Sequence, residues 1–369
     1  MRSRIVVAIA VIQSILFFGH WFVYESWIKF WGSTGILGAI LVRPTLAILS
    51  VSFVAASLLA FRYTNVFVRA FYRIASVWLG ALNFFVVAAA SSWVAYEAVR
   101  LTGLHLSTHI IAGTLFGLAV LASIYGIINA ASVRVKRIAV RLPGLPASWR
   151  GRVAALVSDT HLGHVRGAGF VSRIVAKLRQ VGADVVFITG DLFDGTKVDP
   201  NQMTAPWKLL APRFGAYFVT GNHEEFSDPS KYLAAIHNSG IRILNNEKIN
   251  LDGLQVVGVP YHDSIDAGRF RSILENTKLD RSRASILLSH SPHRLTIAEN
   301  QGISLQLSGH THGGQIFPFT WFTSKIFGAF TYGLNRHGDM AVYTSSGAGT
   351  WGPPMRVGTQ PEIVLIHFE

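Results

Sequence analysis

The chain is 369 residues long, carries 33 lysines and arginines against 20 acidic residues, and is 50% hydrophobic with a mean hydropathy of +0.37. It has no cysteine, which excludes disulfides, thiolate metal sites and cysteine nucleophiles. The net charge of +13 does not point to nucleic acid. Arg2, Arg4, Arg62, Arg69, Arg73, Arg134, Lys136, Arg137, Arg141, Arg150 and Arg152 flank apolar segments, where membrane topology and anionic headgroups account for them.

Composition divides the chain near residue 133. Residues 1–133 read as a transmembrane domain, an all-α bundle of four helices. Its apolar spans lie at about 5–23, 44–61, 76–96 and 110–130, each close to the length that crosses a bilayer. Arg2 and Arg4 precede the first span. No small-residue cleavage site follows at His20-Trp21-Phe22, so the segment reads as a retained anchor. The second span begins near Pro44, or near Ile36 if Arg43 snorkels. His105 and His109 read as solvated loop residues, and Asn83 as an interhelical hydrogen-bonding group.

Orientation follows from the loops. One side carries Arg2, Arg4, Arg62, Arg69, Arg73 and the cluster from Arg134 to Arg152. The other carries Lys29, Arg43 and Arg100, offset by Glu25 and Glu97. The excess of basic residues predicts a multi-pass protein of the cell inner (plasma) membrane, with the N-terminus and everything after residue 133 in the cytoplasm. The side inverts if the Arg43-Pro44 segment does not span.

Residues 134–151 read as a basic linker, non-helical through Pro143-Gly144-Leu145-Pro146. From 152 to 369, strands are predicted at Val153–Val157, Val185–Thr189, Ala216–Thr220, Gln255–Val259, Ser285–Ser289, Ser304–Leu307, Met340–Ser345 and Ile363–His367. Helices are predicted at Val171–Val181, Pro229–Ser239 and Arg269–Thr277. Several strands are apolar almost throughout, as expected when both faces are covered. The predicted architecture is an α/β sandwich, with layered mixed β-sheets flanked by helices.

The chemistry gathers where these apolar runs end. Val157-Ser158-Asp159-Thr160-His161 supplies a carboxylate and an imidazole at i and i+2. Thr189-Gly190-Asp191-Leu192-Phe193-Asp194 supplies carboxylates directly after a strand. Thr220-Gly221-Asn222-His223-Glu224 supplies an amide oxygen and an imidazole, and Leu288-Ser289-His290 a further imidazole. In Leu307-Ser308-Gly309-His310-Thr311-His312-Gly313-Gly314-Gln315, the two histidines of an extended chain face one side. Singly, Asp191 reads rather as a turn residue, Asn222 as a left-handed loop residue and His290 as a satisfied core imidazole. Strand ends on one sheet edge converge in space, so the five together predict a shared site.

The order Asp-x-His, Gly-Asp, Gly-Asn-His, Ser-His, Gly-His-x-His resembles the calcineurin-like metallophosphoesterase superfamily. The Gly313-Gly314-Gln315 continuation, together with the tail through Gly347-Ala348-Gly349 and Pro361-Glu362-Ile363, is similar to its membrane-associated bacterial branch. The resemblance implies that Asp159, His161, Asp191 and His312 hold one metal and Asp191, Asn222, His290 and His310 the second, with Asp191 bridging. It implies a dinuclear centre of divalent ions (Mn²⁺, Fe²⁺ or Zn²⁺), a bridging hydroxide as nucleophile, and His223 beside the leaving group. Two such ions clamp both oxygens of an in-line phosphoryl displacement. Asp194 is expected to position a loop or a ligand histidine. His164, His262 and His293 are candidates for lining the pocket or for outer roles.

Ile316 to Phe322, with Lys325, Ile326, Phe327 and Phe330, reads either as a β-rich flap packed on its own domain or as an aromatic rim dipping into lipid. The expected function is hydrolysis of a phosphodiester, phosphomonoester or pyrophosphate bond, with membrane lipids as neighbours and a lipid-linked substrate favoured by the anchoring. The alternatives are a non-turnover membrane sensor or scaffold that binds a phosphorylated ligand, and a membrane-tethered nuclease.

Overall fold

The computed structural model describes residues 2–32, 41–226 and 228–369. The alternative start of the second span near Ile36 lies outside these residues. Two compact units form, one running through Ile128 with Gly352–Met355, the other comprising Asn129–Trp351 and Arg356–Glu369.

In the first unit, uninterrupted apolar sequence forms α1 (Arg2–Trp31), α2 (Arg43–Ala60), α3 (Val66–Thr102) and α4 (Thr108–Ala131), whose last residues enter the second unit. All four are long and apolar enough to cross a membrane. Asn65 caps α3 by accepting the Val68 N–H at 2.9 Å, and Gly103 ends it in a left-handed conformation. Polar groups within such helices need internal partners. Trp78 Nε1 donates to His20 Nε2 at 2.8 Å, Trp93 Nε1 to Ser26 Oγ at 3.0 Å and Gln13 Nε2 to the Ser50 carbonyl at 2.9 Å. His109 is exposed but does not belong to the loop. It sits in the first turn of α4, and its Nδ1 meets the Phe30 carbonyl.

The second unit is built on β1 (Arg134–Val140), β2 (Val153–Val157), β3 (Val185–Thr189), β4 (Ala216–Val219), β5 (Ile241–Ile243), β6 (Glu247–Leu251), β7 (Leu254–Val259), β8 (Ser285–Ser289), β9 (Leu305–Ser308), β10 (Gly333–His337), β11 (Met340–Thr344) and β12 (Glu362–Phe368). Between them lie α5 (Ala168–Val181), α6 (Pro200–Thr204), α7 (Asn222–Glu225), α8 (Ser230–Asn238), α9 (Tyr261–Ile265), α10 (Ala267–Asn276), α11 (Leu295–Asn300) and α12 (Phe319–Phe327). Among the described residues the strands form two six-stranded sheets, ordered β1-β12-β2-β3-β4-β5 and β10-β11-β9-β8-β7-β6.

The two-residue alternation of strand side chains explains the layering. From β2 and β3, Ala154, Leu156, Val185 and Phe187 enter a core between the sheets, where they join Ile286, Leu305 and Tyr343. Their neighbours Ala155, Val157, Val186 and Ile188 turn outward and pack beneath Phe170, Ile174 and Leu178 of α5. On the far side Val257, Leu287 and Val342 pack against Phe270 and Leu274 of α10. The expected layered mixed sheets flanked by helices are therefore present.

Two local expectations are corrected. Residues 134–140 belong to no linker; they form β1, paired in parallel with β12 from Arg134↔Glu362 to Val140↔Phe368. β1 lies at a sheet edge, where charged side chains are tolerated and block further strand pairing, so its basic composition concealed it. The aromatic stretch after His312 is not β-rich, because Phe319–Phe327 is helical.

Parallel pairing positions the site. β2, β3 and β4 run parallel, with Val157 opposite Ile188 and Thr189 opposite Val219. In the second sheet β8 and β9 run parallel, with Leu288 opposite Leu307. The carboxyl ends of five strands thus open on one side of the sandwich.

Candidate metal centre

Asp159 and His161 follow β2, Asp191 follows β3, Asn222 and His223 open α7 after β4, His290 follows β8, and His310 and His312 follow β9. Asp159, His161, Asp191, His310 and His312 all have positive φ, between 46° and 71°. Side-chain-bearing residues rarely adopt this region, and such strain collects at functional sites. The glycines allow the approach. A Cβ at Gly190 (φ 84°) would lie 2.6 Å from His290 Nδ1, and one at Gly309 would lie 2.1 Å from Asp159 Oδ2.

The donor atoms form two groups that share Asp191. In the first, His312 Nε2 lies 3.5 Å and His161 Nε2 3.9 Å from Asp159 Oδ1, the two imidazole nitrogens are 2.9 Å apart, and His161 Nε2 is 3.8 Å from Asp191 Oδ2. In the second, His290 Nε2 is 3.2 Å from Asp191 Oδ2 and 3.1 Å from Asn222 Oδ1, while His310 Nδ1 is 3.0 Å from Asn222 Oδ1 and 3.2 Å from His290 Nε2. His223 Nε2 stands 4.0 Å from Asp191 Oδ2, so it too falls among the side chains able to reach an ion.

The electrostatics suit cations. Burial, with neighbouring imidazoles adding to it, keeps His161 and His312 well below the ordinary histidine range. Burial followed by the charge on His290 brings His310 down to about 3. Burial raises Asp159 to about 6. For His290 burial opposes the proton, but Asp191, Asp159 and the Thr189 carbonyl together outweigh it and lift the ring to about 10. Burial alone would raise Asp191, yet His290 and the other imidazoles hold it below the usual carboxylate range. Imidazole nitrogens, an amide oxygen and two carboxylates, all without thiolate, form a donor set that fits two borderline or hard divalent ions, and an ion bound beside Asp191 would displace the His290 proton.

The remaining candidates take other places. Asp194 belongs to no metal-holding group among the described residues. Its carboxylate accepts from Thr196 N at 2.8 Å and from Thr196 Oγ1 at 2.6 Å, and its carbonyl faces His223 Nδ1 at 3.1 Å. His164 Nδ1 meets Thr196 Oγ1, behind the same loop. His293 lies at the mouth, its ring 6.4 Å from that of His310. His262 is exposed and pairs with Glu225.

Two residues overlooked in the sequence hold the site together. Glu224 is fully buried, and its carboxylate accepts N–H bonds from Asp191 at 2.9 Å, Gly221 at 2.9 Å and Phe193 at 3.0 Å. Its place directly after Asn222-His223 was the available signal. Arg356 is also fully buried; it donates to the carbonyls of His312 at 3.2 Å, Ser346 at 2.6 Å and Gly349 at 2.7 Å. A lone arginine after Pro353-Pro354-Met355 gives no comparable signal.

Residues 153–314 match the sequence profile of the calcineurin-like phosphoesterases. The chain is 32% identical over 252 residues to an uncharacterised metallophosphoesterase of Campylobacter jejuni, covering 67% of this chain and 66% of the relative. It is 33% identical over 267 residues to a zebrafish (Danio rerio) transmembrane protein with metallophosphoesterase domain, covering 67% and 60%. The crystal structure of a dimetal phosphatase from Danio rerio is 12% identical, covers 54% of this chain and 88% of that one, and has a TM-score of 0.35. The chain belongs to the calcineurin-like metallophosphoesterase family. It spans between 58% and 66% of the length of the first curated relatives it matches. Its relatives extend beyond bacteria to animals, which widens the expected bacterial branch.

Proposed function

We propose that the chain is a membrane-anchored hydrolase of phosphoester bonds, with Asp159, His161, Asp191 and His312 holding one divalent ion and Asp191, Asn222, His290 and His310 a second. Mn²⁺, Fe²⁺ or Zn²⁺ suits this donor set. Such ions supply Lewis acidity toward phosphoryl oxygens and lower the pKa of bound water. The observation that carries the reading is the Asp191 carboxylate, within 4 Å of imidazoles belonging to both donor groups.

His223 handles the proton. Its Nδ1 faces the Asp194 carbonyl at 3.1 Å, an acceptor that fixes the N–H on Nδ1 and turns the Nε2 lone pair toward Asp191. The His223 backbone N–H donates to Asp191 Oδ1 at 2.9 Å, which sets the ring beside the donor groups. Burial lowers the pKa of this ring. An incoming phosphate adds negative charge that favours the imidazolium, and Nε2 then protonates the leaving oxygen.

The substrate class follows from the anchoring: a lipid-linked phosphodiester, phosphomonoester or pyrophosphate, met at the cytoplasmic face of the inner membrane. The test is hydrolysis of a chromogenic phosphodiester and phosphomonoester by the full chain with and without Mn²⁺. Metal-dependent turnover that disappears in Asp191→Ala supports the proposal. Fully metallated preparations without turnover on either ester, or on fractionated membrane lipids, favour a phosphate-binding sensor instead.

A further inference from the structure

Helix α12 begins seven residues after His312, and none of its nine residues is buried. Phe319 is 54% exposed, Phe322 50% and Ile326 74%. Spaced at i, i+3 and i+7, these three form one stripe along the helix. Trp321 (54% exposed) and Lys325 lie along one flank of the stripe, with the Lys325 ammonium 5.6 Å from the Trp321 ring centre. Thr320, Thr323 and Phe327 are half-buried on the other flank. A soluble surface seldom leaves four large apolar side chains open on so short a helix.

We propose that α12 is an interfacial helix that inserts its Phe319-Phe322-Ile326 stripe into the lipid leaflet at which α4 ends. Three observations select lipid over a protein partner or a second copy. The helix has no acidic residue and one lysine, a charge suited to anionic headgroups. Tryptophan and lysine beside an apolar stripe suit the headgroup level of an interfacial helix. Only Ser132 and Val133 separate α4 from β1, whose Arg134 and Arg137 are also exposed, so the chain itself keeps this domain near a bilayer.

The inserted helix adjoins the metal centre. The ring of Phe327, at its end, lies 6.2 Å from that of His310 and 5.5 Å from that of His293. At its start, a Cβ on Gly314 would lie 2.4 Å from the Thr320 backbone, so α12 is seated on the loop that carries His310 and His312. Insertion brings the mouth of the site to headgroup depth, where a phosphoester of a membrane lipid is reached without leaving the leaflet. This last step rests on the proposed hydrolase activity; the insertion does not.

Because the chain has no cysteine, Ile326→Cys gives a unique attachment point. The full chain would be labelled there with an environment-sensitive fluorophore and reconstituted into vesicles containing anionic lipid and nitroxide-labelled lipid. Exposed Arg271 of α10, as Arg271→Cys, serves as the control. A blue-shifted emission at 326 that nitroxide lipid quenches, with neither effect at 271, supports insertion. Water-like emission at 326 overturns it, and so does a blue shift that nitroxide lipid leaves unquenched, the mark of a protein partner or second copy. In Phe322→Glu/Ile326→Glu, KM for a lipid phosphoester in the bilayer should rise about tenfold or more, while turnover of a soluble chromogenic ester is retained. Equal loss on both substrates overturns the delivery step. Quenching at 326 in a chain that cleaves no phosphoester leaves the insertion standing and removes the hydrolase reading.

Discussion

Glu224 is bound to Asp191 through the backbone: its Oε2 accepts the Asp191 N–H at 2.9 Å, and the same oxygen accepts the Gly221 N–H. One buried carboxylate therefore sets the spacing of the loops after β3 and β4. Glu224→Ala leaves those two N–H groups and that of Phe193 unpaired. Each unpaired group costs about 1–3 kcal/mol. The variant is expected to unfold at clearly lower denaturant and to bind metal about 10–100-fold more weakly. Denaturation and metal titration check both, and wild-type values in both would contradict the role.

Arg356 ties the His312 loop to the segment Ser346–Gly349. Burial lowers its guanidinium to about 10, so it stays charged near neutrality. Lysine offers one ammonium in place of a planar fork and cannot reach the same set of carbonyls. Arg356→Ala should cost about 3 kcal/mol or more, from several buried carbonyls losing charged donors, and Arg356→Lys should restore only part of it. Full recovery by lysine in chemical denaturation would contradict the fork geometry.

His223 is proposed to move a proton rather than hold an ion. His223→Asn should therefore lower kcat by about 10²–10⁴-fold with bound metal unchanged. Elemental analysis beside kinetics separates the roles, and loss of one metal per chain would make it a ligand.

Asp194 gives a pH signature in stability. Burial raises its carboxyl from 3.8 to about 6 despite the bonds from Thr196. Between those values the folded chain binds more protons than the unfolded chain, so this contribution is present below the lower value and is lost as pH rises through about 6. Asp194→Asn keeps an acceptor for Thr196 and removes the titration. Tm of the variant should fall less than wild type, by about a few degrees, from about pH 4 to about pH 6. Parallel curves would contradict the assignment.

The parts of this architecture legible in the sequence are those whose local chemistry agrees with their place. Val153–Val157 and Ser285–Ser289 are apolar on both faces and end in metal-type donors, so both strand and site could be read there. Ile241–Ile243 is too short for a periodic pattern, and Arg134–Val140 carries three cations that an edge strand accommodates. Phe319–Phe327 has the aromatic composition of a strand, yet it is a helix whose Thr320 backbone is seated against Gly314. Glu224 and Arg356 act through backbone groups of residues distant in sequence, which no local pattern encodes.

The central claim, that Asp191 joins two ions into one centre, is tested most directly by anomalous diffraction at the manganese edge from crystals of the Mn²⁺-loaded full chain. Two peaks are predicted, one among Asp159, His161 and His312 and one among Asn222, His290 and His310, with the Asp191 carboxylate between them. A single peak, or none among these seven side chains, would contradict it.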